Sequence, residues 1–147
     1  MLTFVPVLEE DFDAMFALRM DALRASLERL GRFDPVAGLL RFRAGFDPLF
    51  MQHICSDGAR IGFVTMRPAS GAQYLQHLFI HAGQQNIGVG AWVLDWVKGQ
   101  ARAIGQDVTV STLKLSPANR FYLRHGFVQT GESEFDNDYR WTCEAQA

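Results

Sequence analysis

Only two cysteines occur in 147 residues, Cys55 and Cys143, and neither stands in CxxC spacing or beside clustered histidines. That scarcity excludes a secreted disulfide framework, argues against a zinc site and fits a reduced compartment. Excess charge is missing too: 14 Lys and Arg against 16 Asp and Glu leave a net charge of −2, too little to draw the chain to nucleic acid or an anionic membrane. No window approaches the ~18 apolar residues of a membrane span, and MLTFVPVLEEDFDAM lacks the basic and apolar regions of a secretory leader. The expectation is a soluble, cytoplasmic protein with no nucleic-acid partner, no membrane partner and no metal. Repeats, low-complexity tracts and linkers are absent as well. Residues 1–147 are therefore expected to form a single domain, long enough to bury a core without staples.

What is present is periodicity. LTFVPV, 2–7, reads as a first strand with Pro6 at an edge or exit. From Phe12, apolar residues Met15, Phe16, Met20, Leu23, Leu27 and Leu30 recur every three or four positions, predicting a helix up to Gly31 with Arg19, Asp21, Arg24 and Glu28 on its outer face. After the turn RFDP, Val36, Leu39, Leu40 and Phe42 suggest the apolar face of a second, shorter helix. LFMQHICS and RIGFVTMR flank a DGA turn as a hairpin, and QYLQHLFI follows as the third strand of a meander. A helix with Val89, Trp92, Val93, Trp96, Val97 and Ala101 on one face leads to the alternating strand DVTVSTLKL, which makes a βαβ unit with parallel strands. Ser116 as N-cap and Pro117 at the first helical position open a short helix that ends near Gly126, and strands at about 127–133 and 138–143 close the chain. Tyr139 and Trp141 read as exposed apolar residues that complete the sheet or form a dimer seam, so the chain is expected to be a monomer or a homodimer.

The stretch QQNIGVGAWVL places two glycines where a strand passes into a helix. A helix N-terminus directs unpaired N–H groups and the positive end of its dipole at one spot, and Gly88 and Gly90 would let a phosphate approach the backbone. A turn glycine followed by a close-packing glycine explains the same letters. A P-loop needs GK[ST], whereas Gly90 is followed by Ala91-Trp92; a dinucleotide fingerprint needs a third glycine where Val93 stands. What fits is Gln85-Asn86-Ile87-Gly88-Val89-Gly90 as Q/R-x-x-G-x-G/A, which resembles the acyl-CoA pyrophosphate loop of the GNAT N-acetyltransferase superfamily. A second segment, SPANRFYLRHGF at 116–127, is similar to that family's N-P-A-x-x-F-Y-x-x-x-G-F signature, with Ser116 in place of the more usual Asn.

The resemblance covers nearly the whole chain. It implies an α/β (α+β) fold with a mixed, mostly antiparallel sheet of about six or seven strands, a splayed parallel pair and about four helices. It implies acetyl-CoA as co-substrate and an amine of a small molecule or peptide as acceptor. By resemblance the pantetheine arm would lie along Leu78-Phe79-Ile80, the backbone from Gln85 through Asn86, Ile87, Gly88, Val89 and Gly90 to Ala91 would hold the pyrophosphate, and Asn119 and Tyr122 would face the sulfur. A module that binds acyl-CoA without transfer is the alternative from another class, with a nucleotide-binding or redox protein behind it.

Direct attack of an amine on a thioester needs a base and an acid. An alkyl ammonium, pKa near ~10.4, must lose a proton, and a phenol near ~10 can donate to the leaving thiolate. Tyr122 is the candidate acid, its other reading being a core tyrosine on an amphipathic helix. Gln76 cannot act as a base; His77 can, the other reading being a hydrogen-bonded wall residue, and His53 and His81 stand behind it. The first two helices would set acceptor specificity. Of Arg19, Arg32, Arg41 and Arg43 there, most read as solvated, with one or two able to meet an acceptor carboxylate.

Overall fold

The computed structural model describes residues 1–85 and 88–143. Its strands are β1 (Leu2–Pro6), β2 (Met51–Ser56), β3 (Ala59–Ala69), β4 (Ala72–Ile80), β5 (Val108–Leu113), β6 (Val128–Glu132) and β7 (Asp136–Trp141). The helices are α1 (Phe12–Arg29), α2 (Pro35–Ala44), α3 (Val89–Ala103) and α4 (Ala118–Arg124), with single 3-10 turns at 9–11, 48–50 and 82–84. The strand order is β1-β2-β3-β4-β5-β7-β6, mixed, with β4 and β5 parallel. The fold class expected from the sequence is the one observed. Among the described residues no helix is long and apolar enough to cross a membrane. Two compact units are present, 1–65 with 77–90 and 66–76 with 91 onward, and β3 and β4 run through both.

In the first unit, β1 and β2 pair antiparallel, Thr3 against Cys55 and Val5 against His53, and β2 continues into β3 through Asp57 and Gly58. Both turn residues have positive φ, 49° and 87°, which is the backbone that a two-residue hairpin loop needs and that Asp-Gly supplies. The core gathers Val7, Met15, Phe42, Met51 and Phe63, with Phe12, Phe16, Phe46 and Phe79 packed on it. Phe42 is its hub: its ring lies 5.3 Å from Phe12, 5.7 Å from Phe46, 5.9 Å from Phe63 and 5.3 Å from His77. Tilted and edge-on aromatic pairs at these separations add ~0.5–1.5 kcal/mol each beyond area burial. Asp34 caps α2 by accepting from the N–H groups of Val36 and Ala37, and Pro35 occupies the first turn.

Two helix faces differ from expectation. In α2 the buried residues are Gly38 and Phe42, while Val36 and Leu40 are 70% and 68% exposed. The close approach of α1 at Gly38, where a Cβ would stand 3.2 Å from the Met20 sulfur, turns the helix so that its branched residues face out. In α1 the buried stripe is Met15, Arg19 and Ser26, so Arg19 points inward, against the sequence expectation.

The exit of β4 is irregular. Counted from the two-residue Ser70-Gly71 turn, Ile61 would lie opposite Ile80, yet the N–H of His81 donates to the Ile61 carbonyl at 2.8 Å. One extra residue is thus taken up in β4, and β3 carries its own shift against β2 at Ile54/Cys55. Gly62 permits this: a Cβ there would overlap the carbonyl oxygen of Phe79. Nearby, Asp11 accepts from the Leu8 N–H at 2.8 Å and from Arg60 at 3.0 Å, and lies 2.9 Å from His53 Nε2.

In the second unit β4 starts parallel to β5, Gln73 beside Val108 and Tyr74 beside Thr109, and β7 lies between β5 and β6. Interior placement of β7 explains a further correction: Tyr139 and Trp141, expected to be exposed, are buried. Val93, Leu94, Val97 and Ala101 form the buried stripe of α3, with Trp92 and Trp96 half-buried at its margin. The short helix α4 starts one residue later than expected, and the Ser116 hydroxyl accepts from the Ala118 N–H at 3.1 Å.

Two outcomes follow from this geometry. Gly62→Ala must push the Phe79 carbonyl aside and should lower stability by about 1–3 kcal/mol, seen as a lower urea midpoint. Gly83→Ala, with open space around the added carbon, should leave the midpoint in place. The His53 contact, then the Leu8 N–H and Arg60, hold the Asp11 carboxyl at about 2, below its ordinary 3.8, against the opposing effect of burial. A depressed carboxylate stabilises the fold above its unfolded pKa and loses that contribution as pH falls through its folded one. The gap in urea midpoint between wild type and Asp11→Asn should therefore be level above about pH 5 and close between about pH 4 and pH 2.

Candidate functional site

In the first unit, ligand-facing backbone is expected where β4 gives way to α3. Gly88 has φ +86°, a left-handed conformation that side chains disfavour, and nothing lies within 4 Å of where its Cβ would be. Val89, buried, opens α3. The first N–H groups of a helix have no acceptor within it, so those of Val89, Gly90 and Ala91 are available to an anion. Gln85 is exposed, and its side-chain amide donates to the Ile80 carbonyl at 2.9 Å, tying the loop back to the strand end. Asn86 and Ile87 lie outside the described residues. A bulge leaves main-chain groups outside the regular ladder, and the extra residue in β4 falls in the part that includes Leu78, Phe79 and Ile80. Beside it a cleft of about 250 Å³ is lined by Leu18, Asp21 and Ala22 of α1 and by Ile80, His81 and Ala82.

His77 is buried on β4. Its Nδ1 lies 2.9 Å from the Thr65 hydroxyl, and its ring meets those of Phe42, Phe63 and Phe79 at 5.3, 5.7 and 5.7 Å. The strand alternation places His77 on the same face as Phe79, toward the phenylalanine core. Of the other two histidines considered, His53 is engaged with Asp11 and His81 is exposed at the cleft. The arginines of this unit also separate: Arg43 pairs with Glu9 at 2.6 Å and stacks on Phe12, while Arg19 is buried.

In the second unit, Tyr122 of α4 is buried, its ring 5.2 Å from Phe127 and 6.2 Å from Tyr139. Burial, and then the neighbouring Tyr74, push its phenol above the ordinary value of 10, so it keeps its proton throughout the neutral range. Tyr74 is raised as well, by burial first and then by Asp136 and Asp138. Asn119 holds the turn before α4: its Nδ2 is within 2.8–3.1 Å of the carbonyls of Leu113, Lys114 and Ser116, and its Oδ1 accepts from Asn137 and from the Tyr139 hydroxyl. That amide is thus engaged at both ends within the fold, a role the motif alone does not reveal.

Three residues outside the sequence candidates, or read otherwise there, gain weight. Tyr74 stands by Tyr122, and the signal for it was the alternation Tyr74, Gln76, Leu78, Ile80 along β4. Gln76 has a buried side-chain oxygen with no hydrogen-bond partner among the described residues, an acceptor that an amide-bearing ligand would satisfy. Arg19 is the third, named from the sequence among the arginines able to meet an acceptor carboxylate but placed there on the outer face of α1, and found buried. Within the first unit, the open space at Gly88 and the irregular strand end fit a ligand that carries a diphosphate and an extended arm, which is the chemistry of acyl-CoA.

Comparison with known proteins agrees. A sequence model of the acetyltransferase (GNAT) domain matches residues 51–129, more than half of the chain. No curated protein matches the sequence. Among solved structures, the fold is similar to that of PaiA N-acetyltransferase from Thermoplasma acidophilum in complex with coenzyme A, at TM-score 0.75 and 12% identity over 97% of this chain and 99% of that one. It is similar to an acetyltransferase of the GNAT family from Staphylococcus aureus Mu50, at 0.72 and 13% over 97% and 99%, and to Ard1 from Thermoplasma volcanium, at 0.66 and 19% over 95% and 94%. At such identities the likeness speaks for the fold, and the sequence match speaks for descent. Because that match runs from β2 through α4 into β6, taking in both candidate motifs, the chain belongs to the GNAT family of acetyltransferases.

Proposed function

We propose that this chain is a cytoplasmic enzyme, one domain acting as monomer or homodimer, that moves an acetyl group from acetyl-CoA to an amine of a small molecule or peptide by direct attack. The observation that carries the proposal is Tyr122: a phenol kept protonated by burial, on a helix whose entry turn is locked by Asn119. When bound, acetyl-CoA supplies an acetyl group activated as a thioester. The backbone N–H groups of Gln85, Asn86, Ile87 and Gly88 through Ala91 would hold its diphosphate, and main-chain groups of Leu78, Phe79 and Ile80 would hold its arm. Asn119 enters this reading chiefly as the anchor of the turn that carries Tyr122.

The proton inventory then closes on two side chains. As the new C–N bond forms and the C–S bond breaks, the amine gives up one proton and the sulfur requires one. Tyr122 gives its phenolic proton to the departing sulfur, so that coenzyme A leaves as the thiol, and the phenol is reprotonated before the next turnover. His77 is the proposed acceptor of the amine's proton, since a neutral imidazole nitrogen can take one. The Thr65 hydroxyl at its Nδ1 fixes the ring's orientation.

Tyr122→Phe should reduce kcat by about 10²-fold or more while the KM for acetyl-CoA stays within a few-fold, because general-acid contributions are of that size. Acetyl-CoA binding, seen as a raised melting temperature, without thiol release across a broad amine panel would instead show a binding module. For His77→Gln, kcat/KM should fall most at pH 7 and recover towards pH 10, where an amine with pKa near ~10.4 sheds its own proton. A wild-type pH profile in this variant would hand the proton to a water chain.

A further inference from the structure

The most buried arginine of the first unit has no carboxylate partner among the described residues. Arg24 has Glu28 at 3.0 Å, Arg43 has Glu9 at 2.6 Å and Arg60 has Asp11 at 3.0 Å. Each of those guanidinium groups is at least half exposed, whereas Arg19 is 9% exposed and has no carboxylate partner among the described residues. Its Nε is buried without a hydrogen-bond acceptor, and its Nη1 faces only the Met20 sulfur at 3.7 Å. The guanidinium lies over the Phe42 ring, 5.8 Å from the centroid, and beside Gly38, where an added Cβ would meet Nη1 at 3.6 Å. Burial, and then the second cation Arg41, push the Arg19 pKa down, yet a guanidinium does not deprotonate in a protein. A charge taken out of water, short of an acceptor and crowded by another of the same sign is an incomplete site, and what completes it is a planar anion able to take two parallel N–H bonds.

We infer that Arg19 receives a carboxylate on the acceptor, so that the preferred substrate is an amine that also bears an acidic group. This rests on the amine-acetylating reading above. The link to the chemistry is Phe42, whose ring touches both Arg19 and, at 5.3 Å, His77, so one residue separates the anion anchor from the proposed base. Arg43 and Arg24 are already neutralised by their own glutamates and do not compete for the role.

The test pairs each acceptor with its own carboxamide, which carries no carboxylate: glycine with glycinamide, β-alanine with its amide, 4-aminobutyrate with its amide. Wild type should show kcat/KM at least tenfold higher for the member with the extra carboxylate, and Arg19→Met should bring the ratio close to one. Arg24→Met, which removes the same charge from the outer face of α1, should keep the wild-type ratio. Stability separates this from a structural role. A packing arginine would destabilise the protein when replaced, whereas Arg19→Met, which replaces an unpaired buried charge by an apolar chain, should leave the melting temperature of the ligand-free protein unchanged or raise it. If no amine in the panel is acetylated, the transferase proposal fails and the anion site is read by binding instead: in the presence of coenzyme A, β-alanine should raise the melting temperature of wild type more than its amide does, and should not do so for Arg19→Met. Equal handling of carboxylates and amides by wild type in both measurements, or a preference that survives Arg19→Met, would overturn the inference.

Discussion

The approach of the Phe79 carbonyl to Gly62 is the constraint on which the first unit's chemistry depends. Strand pairing normally spends every main-chain N–H and C=O on a neighbour, leaving nothing for a ligand. One surplus residue in β4 breaks that rule locally, and it is tolerated because β3 offers a position with no side chain under the displaced carbonyl. A bulge of this kind costs ladder hydrogen bonds and is retained where it presents backbone to something else. The same strand carries His77 two residues earlier, wedged among phenylalanines and oriented by Thr65.

The second unit solves a different problem, which is to keep one phenol dry and still. Tyr122 sits on a helix of seven residues, too short to be stable by its own hydrogen bonds. Its position comes from outside the helix. Asn119 binds three carbonyls of the preceding turn through one end of its amide and takes two donors through the other, while Tyr139 supplies both a ring beside Tyr122 and one of those donors. Asn119, read from its motif as touching cofactor, is thus visibly a structural knot of the turn that carries Tyr122.

The parts of this molecule legible in the sequence are those written in neighbouring letters. Asp57-Gly58 announces a hairpin because two successive positive φ values admit few residue types, and Asp34-Pro35 announces a helix start because the side chain caps and the ring pre-sets φ. The family was legible for the same reason, from the local letters of QQNIGVG and SPANRFY, and the family model matches across both. What was not legible depends on distant partners. Asp11 and His53 are 42 positions apart, and nothing local signals their contact. Tyr139 and Trp141 looked exposed because a final strand suggests an edge, whereas β7 inserts between β5 and β6. Arg19 was assigned outward because charge usually marks the wet face of a helix; its stripe with Met15 and Ser26 shows a charge kept inside, the type of local violation that functional positions show.

The two short turns of the meander also bear on how the chain reaches this state. Asp57-Gly58 and Ser70-Gly71 close loops of two residues, so β2, β3 and β4 can zip from contacts only a few positions apart. The β4 to β5 pairing must instead bring Tyr74 to Thr109 across a whole helix. Loop-closure entropy makes such distant pairing the slow event. The meander is then the natural early nucleus, and the pairing that seats the tyrosine-bearing half of the chain is the last to arrive.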